Sequence, residues 1–318
     1  MTALGEPLLL ARLAGARRVL IAGAGGGFDI YAGLPLALAL HARGKVVSFA
    51  NLSFTCLGGT TAEMVAPHLY RVTPDSEGED RYFPERSLAR WLAGRSLPSE
   101  VWGFEKVGVR PMRAAYRALV AATDADAIVL VDGGTDILMR GDEAGLGTPA
   151  EDMASLAAVA GLDGVATRLV ACIGFGIDAY HGVCHAHFLE NVAALDADGG
   201  YLGAFSVSRL TDEGAAFLDA VAAAQAAHPG RPSIVNGSIA AAIDGQFGDV
   251  RFTDRTAGSE LFINPLMSLY FGFELAAVAH RSLYLTHLED TDTVWDVVTR
   301  IEAFRGNQRA KPWRDFPH

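Results

Sequence analysis

Cysteine is scarce: residues 56, 172 and 184 are the only three in 318, they form no CxxC pair, and they exclude a disulfide framework. Long apolar runs are missing too. No stretch approaches the roughly 20 residues a membrane-spanning helix needs. The early Leu8-Leu9-Leu10 is cut by Arg12, so neither a membrane partner nor a signal peptide is expected. Basic residues are few, 26 Lys and Arg against 37 Asp and Glu, for a formal net charge of −11. Such a surface repels a phosphate backbone, which argues against nucleic acid but leaves small polar or cationic ligands open. Neither a fixed-period repeat nor a low-complexity linker breaks the chain. The expectation is one cytoplasmic α/β domain over residues 1–318 with a small-molecule substrate, its assembly into a homo-oligomer left open.

What is present is a recurring order of apolar strand, polar-glycine turn and helix. The first instance is Arg18-Val19-Leu20-Ile21-Ala22-Gly23-Ala24-Gly25-Gly26-Gly27-Phe28-Asp29. Four glycines in five residues leave the backbone bare, so the main-chain N–H groups of Gly25, Gly26 and Gly27 are candidates to hold one end of a ligand. Helical pattern over 30–43 and a strand over 45–52 complete a βαβ unit. The turn matches the first two glycines of the dinucleotide fingerprint, but Phe28 stands at the third and Asn51 replaces the acid expected at the end of the second strand. Asp29 at the helix mouth repels a pyrophosphate and suits hydroxyls or a cation. A tight strand-to-helix turn with no ligand accounts for the same residues.

The second instance is an apolar strand over 127–131 running into Asp132-Gly133-Gly134-Thr135-Asp136-Ile137-Leu138-Met139-Arg140-Gly141-Asp142-Glu143. The bracketing glycines let Asp132, Asp136 and Asp142 turn towards one point, where a hard cation or sugar hydroxyls would suit them, with Arg140 to neutralise a carboxylate or hold a phosphate. The competing explanation is an acidic turn that caps the next helix. The third instance is a strand over 168–173, then Gly174 to Asp178, then His181-Gly182-Val183-Cys184-His185-Ala186-His187. Here His181, Cys184, His185 and His187 have spacing a transition metal can use. Proton transfer by His181 or His185, or plain capping and packing, explains them as well.

Elsewhere, residues 70–80 read as a turn-rich excursion, 101–105 as an aromatic loop able to cover a pocket, and 232–235 as a short strand before a turn in which Asn236 and Ser238 cap a helix. Residues 266–280 read as one long apolar helix, preceded by Glu260 and Asn264 as possible ligand contacts. Together these predict a three-layer α/β sandwich around a mainly parallel Rossmann-like sheet, with the three turns at one carboxyl edge.

The motifs Gly23 to Asp29, Trp102-Gly103-Phe104-Glu105-Lys106, Asp132 to Asp136, Arg140 to Glu143, His181 to His187, Ser233 to Ser238 and Glu260 to Pro265 resemble those of a family found in archaea and bacteria, domain of unknown function eleven-fifty-two. The resemblance spans most of the chain and implies no activity. Residue chemistry alone points to a hydrolase or group transferase acting on a nucleoside, nucleotide or sugar derivative. In that reading Asp136, His181 and His185 are catalytic, a divalent ion is a possible cofactor, and Gly25, Gly26, Gly27, Asp29, Asp132, Gly133, Gly134, Thr135, Arg140, Asp142, Asp178, Asn236, Glu260 and Asn264 bind substrate. The alternatives are an NAD(P)-dependent oxidoreductase using the glycine turn, and a non-catalytic binding protein whose Asp132, Asp136 and Asp142 are saturated by internal salt bridges.

Overall fold

The structure is a computed structural model and describes residues 5–79 and 81–316. Among these described residues nine strands form one sheet: β1 (Arg18–Gly23), β2 (Val46–Leu52), β3 (Glu63–Ala66), β4 (Leu69–Val72), β5 (Val101–Phe104), β6 (Ala127–Gly133), β7 (Thr167–Ile173), β8 (Tyr201–Ser206) and β9 (Leu269–Glu274). Their order across the sheet is β3-β4-β5-β2-β1-β6-β7-β9-β8. The helices are α1 (Leu8–Arg12), α2 (Asp29–Ala32), α3 (Leu34–Ala42), α4 (Pro84–Ala93), α5 (Val109–Thr123), α6 (Pro149–Ala160), α7 (His185–Ala197), α8 (Asp212–Ala227), α9 (Ile234–Ile243), α10 (Leu275–Arg281) and α11 (Val294–Gly306). Among the described residues none is long and apolar enough to cross a membrane.

The central strands are nearly continuous apolar runs because both of their faces are covered. On one face Val19, Ile21, Val129 and Val131 join an apolar cluster with Leu40 of α3, Phe217 of α8 and Ile239 of α9. The alternate residues Leu20, Ala22, Ile128 and Leu130 join another with Met112 of α5 and Leu156 of α6. Period-two alternation in the strands therefore feeds two cores.

The chain runs outward from β1 to β2 and β5, then returns past β1 to β6 and β7. The segments leaving β1 and β6 diverge, and such a reversal opens a crevice at the carboxyl ends of two neighbouring parallel strands. Gly23 pairs with Val131 in this register, so Asp29 and Asp132 arise from the same edge.

Several expectations need correction. Parallel pairing is confined to the centre, where it accounts for four of the eight strand pairs, and both edges are antiparallel. Residues 101–105 are no loop: β5 is buried throughout and lies between β2 and β4. The excursion at 70–80 begins inside β4, which pairs antiparallel with β5. Residues 232–235 form no strand: Ile234 opens α9, and the N-cap is Ser233, whose hydroxyl accepts from the Asn236 N–H. The apolar run 266–280 divides into β9 and α10. Tyr270, Phe271 and Phe273 are buried on both sides, and such a run carries no periodicity that separates strand from helix.

Candidate functional site

Five aspartates from four segments converge at the crevice between β1 and β6. Asp29 opens α2, Asp132 ends the apolar part of β6, and Asp136 begins a short 3₁₀ turn beyond it. Asp152 stands in the first turn of α6, and Asp178 lies in the turn after β7. One carboxylate oxygen from each of Asp29, Asp132 and Asp152 lies within 4.8 Å of the other two. Asp132, Asp136 and Asp152 are at most 4 % exposed, and Asp178 is 8 % exposed.

Glycine is required here by the carboxylates themselves. A β-carbon on Gly25 would stand 2.6 Å from Asp29 Oδ2 and 3.0 Å from both oxygens of Asp152. One on Gly134 would stand 2.8 Å from Asp178 Oδ2 and 3.1 Å from Asp132 Oδ1. The turn amides, expected to hold one end of a ligand, are engaged inside the protein instead: Gly25 and Gly26 donate towards Asp29, and the Gly27 N–H donates to Leu52 O at 3.0 Å. Asn51 holds the turn from below, its Nδ2 donating to Gly27 O (2.7 Å) and to Glu85 Oε1 (2.8 Å), while Asn236 Nδ2 donates to Phe28 O (2.9 Å). Gly27 has φ +62°, and the Tyr82 hydroxyl lies 2.6 Å from where its β-carbon would be. Gly27→Ala is therefore expected to destabilise the protein by about 2 kcal/mol in urea unfolding, since an L side chain in the left-handed region adds its own cost to the clash.

Partners inside the protein satisfy the cluster unevenly. Asp178 Oδ2 accepts from the Thr135 N–H (2.7 Å), Asp136 Oδ2 from the Thr148 N–H (2.7 Å), and Asp132 Oδ2 from the Ile137 N–H (3.3 Å). Asp152 Oδ1 is buried and has no hydrogen-bond partner among the described residues. No Lys or Arg forms an ion pair with any of the five among the described residues. Burial, reinforced by the charge of Asp136, pushes the Asp29 carboxyl up to about 8 against the opposing pull of the Gly25 and Gly26 amides. Burial and then neighbouring carboxylates raise Asp132, Asp152 and Asp178 well above the usual range. Asp136 is raised by burial as well, with Thr148 and the nearby His181 pulling it back. Like charges this close cannot all stay ionised without a counter-charge, so the cluster holds either protons or a cation.

The remaining sequence candidates separate into those beside the cluster and those away from it. Gly133 and Thr135 are beside it, and His181 is the histidine of its turn that acts on Asp136. The ligand set His181, Cys184, His185 and His187 is not gathered around one point. Cys184 Sγ faces Arg314 O at 3.0 Å, the His185 ring lies against Phe175 and Phe316, and His187 Nδ1 accepts from the Ala144 N–H at 3.3 Å. The only group of three or more potential ligands this close among the described residues is the three aspartates. Asp142 lies in a separate network, 3.5 Å from both Arg140 and Lys311. Only this one of the three carboxylates assigned to internal salt bridges by the non-catalytic alternative is paired in that way. Asn264 caps a 3₁₀ turn, its Oδ1 accepting from Leu266 N–H, and Glu260 is exposed.

Asp152 escaped the sequence reading. Its signal is an acid on the stripe that Leu156 and Val159 continue at i+4 and i+7, both fully buried, so that a carboxylate stands where a core residue belongs.

These features define an α/β protein with a parallel-centred mixed sheet and a buried carboxylate cluster at its strand ends. Residues 60–307 match the family described as Protein of unknown function (DUF1152), and the chain belongs to it. The match includes Asp132, Asp136, Asp152 and Asp178, whereas the glycine turn and Asp29 precede it. No curated protein and no solved structure matches the chain.

Proposed function

We propose that this protein is a divalent-cation-dependent hydrolase or group transferase acting on a hydroxyl-bearing small molecule, a nucleoside, nucleotide or sugar derivative. The observation that carries this reading is the Asp29, Asp132 and Asp152 triad, with the unpartnered Asp152 Oδ1 buried inside it. A hard cation prefers oxygen ligands and relieves the repulsion that burial imposes on the carboxylates. Held there, it would bind substrate hydroxyls and lower the pKa of a coordinated water. In this reading Asp136 takes the proton from that water, and His181, exposed and close enough to act on Asp136, returns one to the leaving group. Burial lowers the pKa of His185, which is a second candidate base, although its ring faces Phe175.

The same reading takes the five parallel strands with apolar cores on both faces as a Rossmann-like three-layer centre. It places the protein in the cytoplasm, where its three free thiols would stay reduced. The test is a turnover screen of nucleosides, nucleotides and sugar phosphates with Mg²⁺ or Mn²⁺. The expected result is cation-dependent product formation that falls at least about 100-fold in Asp132→Asn. Turnover that is indifferent to chelator and to this substitution would refute the proposal.

A further inference from the structure

A surface cavity of about 970 Å³ is lined by the α8–α9 connection at Pro229, Gly230 and Pro232 and by the segment that carries Arg251, Thr253 and Arg255. Two short structural links join it to the acidic site. Pro232 lines the cavity, and three residues on, Val235 Cγ1 lies 3.2 Å from the β-carbon position of Gly133, itself 3.0 Å from Asp29 Oδ1. The Arg231 guanidinium sits 5.9 Å from the ring centre of Tyr82, whose hydroxyl reaches the glycine turn at Gly27.

Arg255 lines the cavity, and Arg231 stands in the chain between the lining residues Gly230 and Pro232. Arg255 is held by Pro232 O at 2.6 Å, which fixes the guanidinium at the wall, and no carboxylate pairs with Arg231 or Arg255 among the described residues. Arg251 is neutralised by Asp249 at 2.6 Å, and Asp254 adds one negative group to the lining. Guanidinium groups left without acids at a concave surface suit a phosphate, which they bind through charge-assisted forked hydrogen bonds. The N-terminus of α9, entered at Ser233 beside Pro232, adds the favourable end of a helix dipole.

We infer that the substrate is a phosphorylated pentose, free or within a nucleotide, with its phosphate on Arg231 and Arg255 and its sugar hydroxyls at the Asp29, Asp132 and Asp152 site. The inference rests on the proposed cation site for the sugar end and on the arginine cavity for the phosphate end. Its division of labour is specific: the carboxylates recognise the diol through the cation, and the arginines separate phosphorylated from unphosphorylated forms.

The experiment is calorimetric titration of the full chain, with Mn²⁺ present, by ribose 5-phosphate, ribose, adenosine 5′-monophosphate and adenosine. Each phosphorylated probe is expected to bind about tenfold or more tightly than its unphosphorylated partner, the ratio one charge-assisted hydrogen-bonded contact supplies. In the Arg231→Ala/Arg255→Ala double variant that ratio is expected to fall to about one, with Mn²⁺ affinity unchanged. Preference for ribose 5-phosphate alone assigns the free sugar phosphate, and preference for the monophosphate alone assigns the nucleotide. Equal binding of phosphorylated and unphosphorylated forms, or a preference that survives in the double variant, overturns the inference. Inorganic pyrophosphate titrated into chelator-treated protein examines the arginine cavity without the cation. Binding that disappears in the double variant supports the cavity even if Mn²⁺ fails to bind, and absence of binding to the wild type removes it.

Discussion

Asp152→Asn is expected to abolish stabilisation by divalent cations while making the cation-free protein more stable at pH 8. The two effects have one origin. Asp152 brings a carboxylate with no hydrogen-bond donor into a buried group that already holds Asp29 and Asp132. Its replacement by a neutral amide of the same shape removes a charge that burial and four like-charged neighbours oppose, a gain on the order of 1–3 kcal/mol. The same substitution takes away one of three ligands. For the wild type, a cation at one hundred times its dissociation constant adds about 2.7 kcal/mol, and the variant should show almost none of this. Differential scanning fluorimetry with chelator, Mg²⁺ and Mn²⁺ reads both effects. An unchanged cation response in the variant would mean that the three aspartates hold no ion, and a less stable cation-free variant would mean that Asp152 has a favourable partner.

The second large effect concerns pH. The folded Asp29 carboxyl, pushed up to about 8 from its ordinary 3.8, retains its proton more strongly than the unfolded chain does. Between these values the folded state binds more protons, so stability must fall as pH rises from about 4 to 8 and is greatest on the acid side of that window. Asp132, Asp152 and Asp178 are shifted in the same direction and steepen the slope. Because Asp29 keeps a partly exposed edge, solvent screens its share to a few kcal/mol. Urea unfolding in chelator at pH 5, 6.5 and 8 should show the decline, and Asp29→Asn should flatten it. Saturating Mn²⁺ should flatten it too, because the ion displaces the protons, and calorimetry in two buffers of different ionisation heat should record their release. Cation-free stability that climbs from pH 5 to pH 8 would show that these carboxylates are ionised in the folded protein.

The central architecture was legible because β1, β2, β6 and β7 are apolar runs that end in glycine-marked turns, a pattern that survives burial on both faces. Of the acidic site, Asp29, Asp132, Asp136 and Asp178 were legible for the same reason: each follows or ends such a run. Asp152 was not, because it belongs to a helix whose role at the site depends on where β6 delivers it. The histidine turn misled as a ligand set because spacing along the chain says nothing about direction. In a turn bounded by the left-handed Gly176 and Gly182, His185 lies against Phe175, His187 accepts from the Ala144 N–H, and His181 is exposed near Asp136. The antiparallel edges were hidden as well. β3 and β4 are four residues each, and β9 shares its apolar run with α10, so neither offers enough periods to declare its geometry.

The convergence of Asp29 and Asp178 from opposite ends of a long stretch of sequence also shapes how the molecule must assemble. No short fragment contains the cluster, so the repulsion among its acids arises only once β1, β6, β7 and α6 have docked, late in folding. Mildly acidic buffer during refolding, followed by the cation and then neutral pH, would let the strands close before the charges meet, and recovery of native protein by that route should exceed recovery by direct dilution at pH 8.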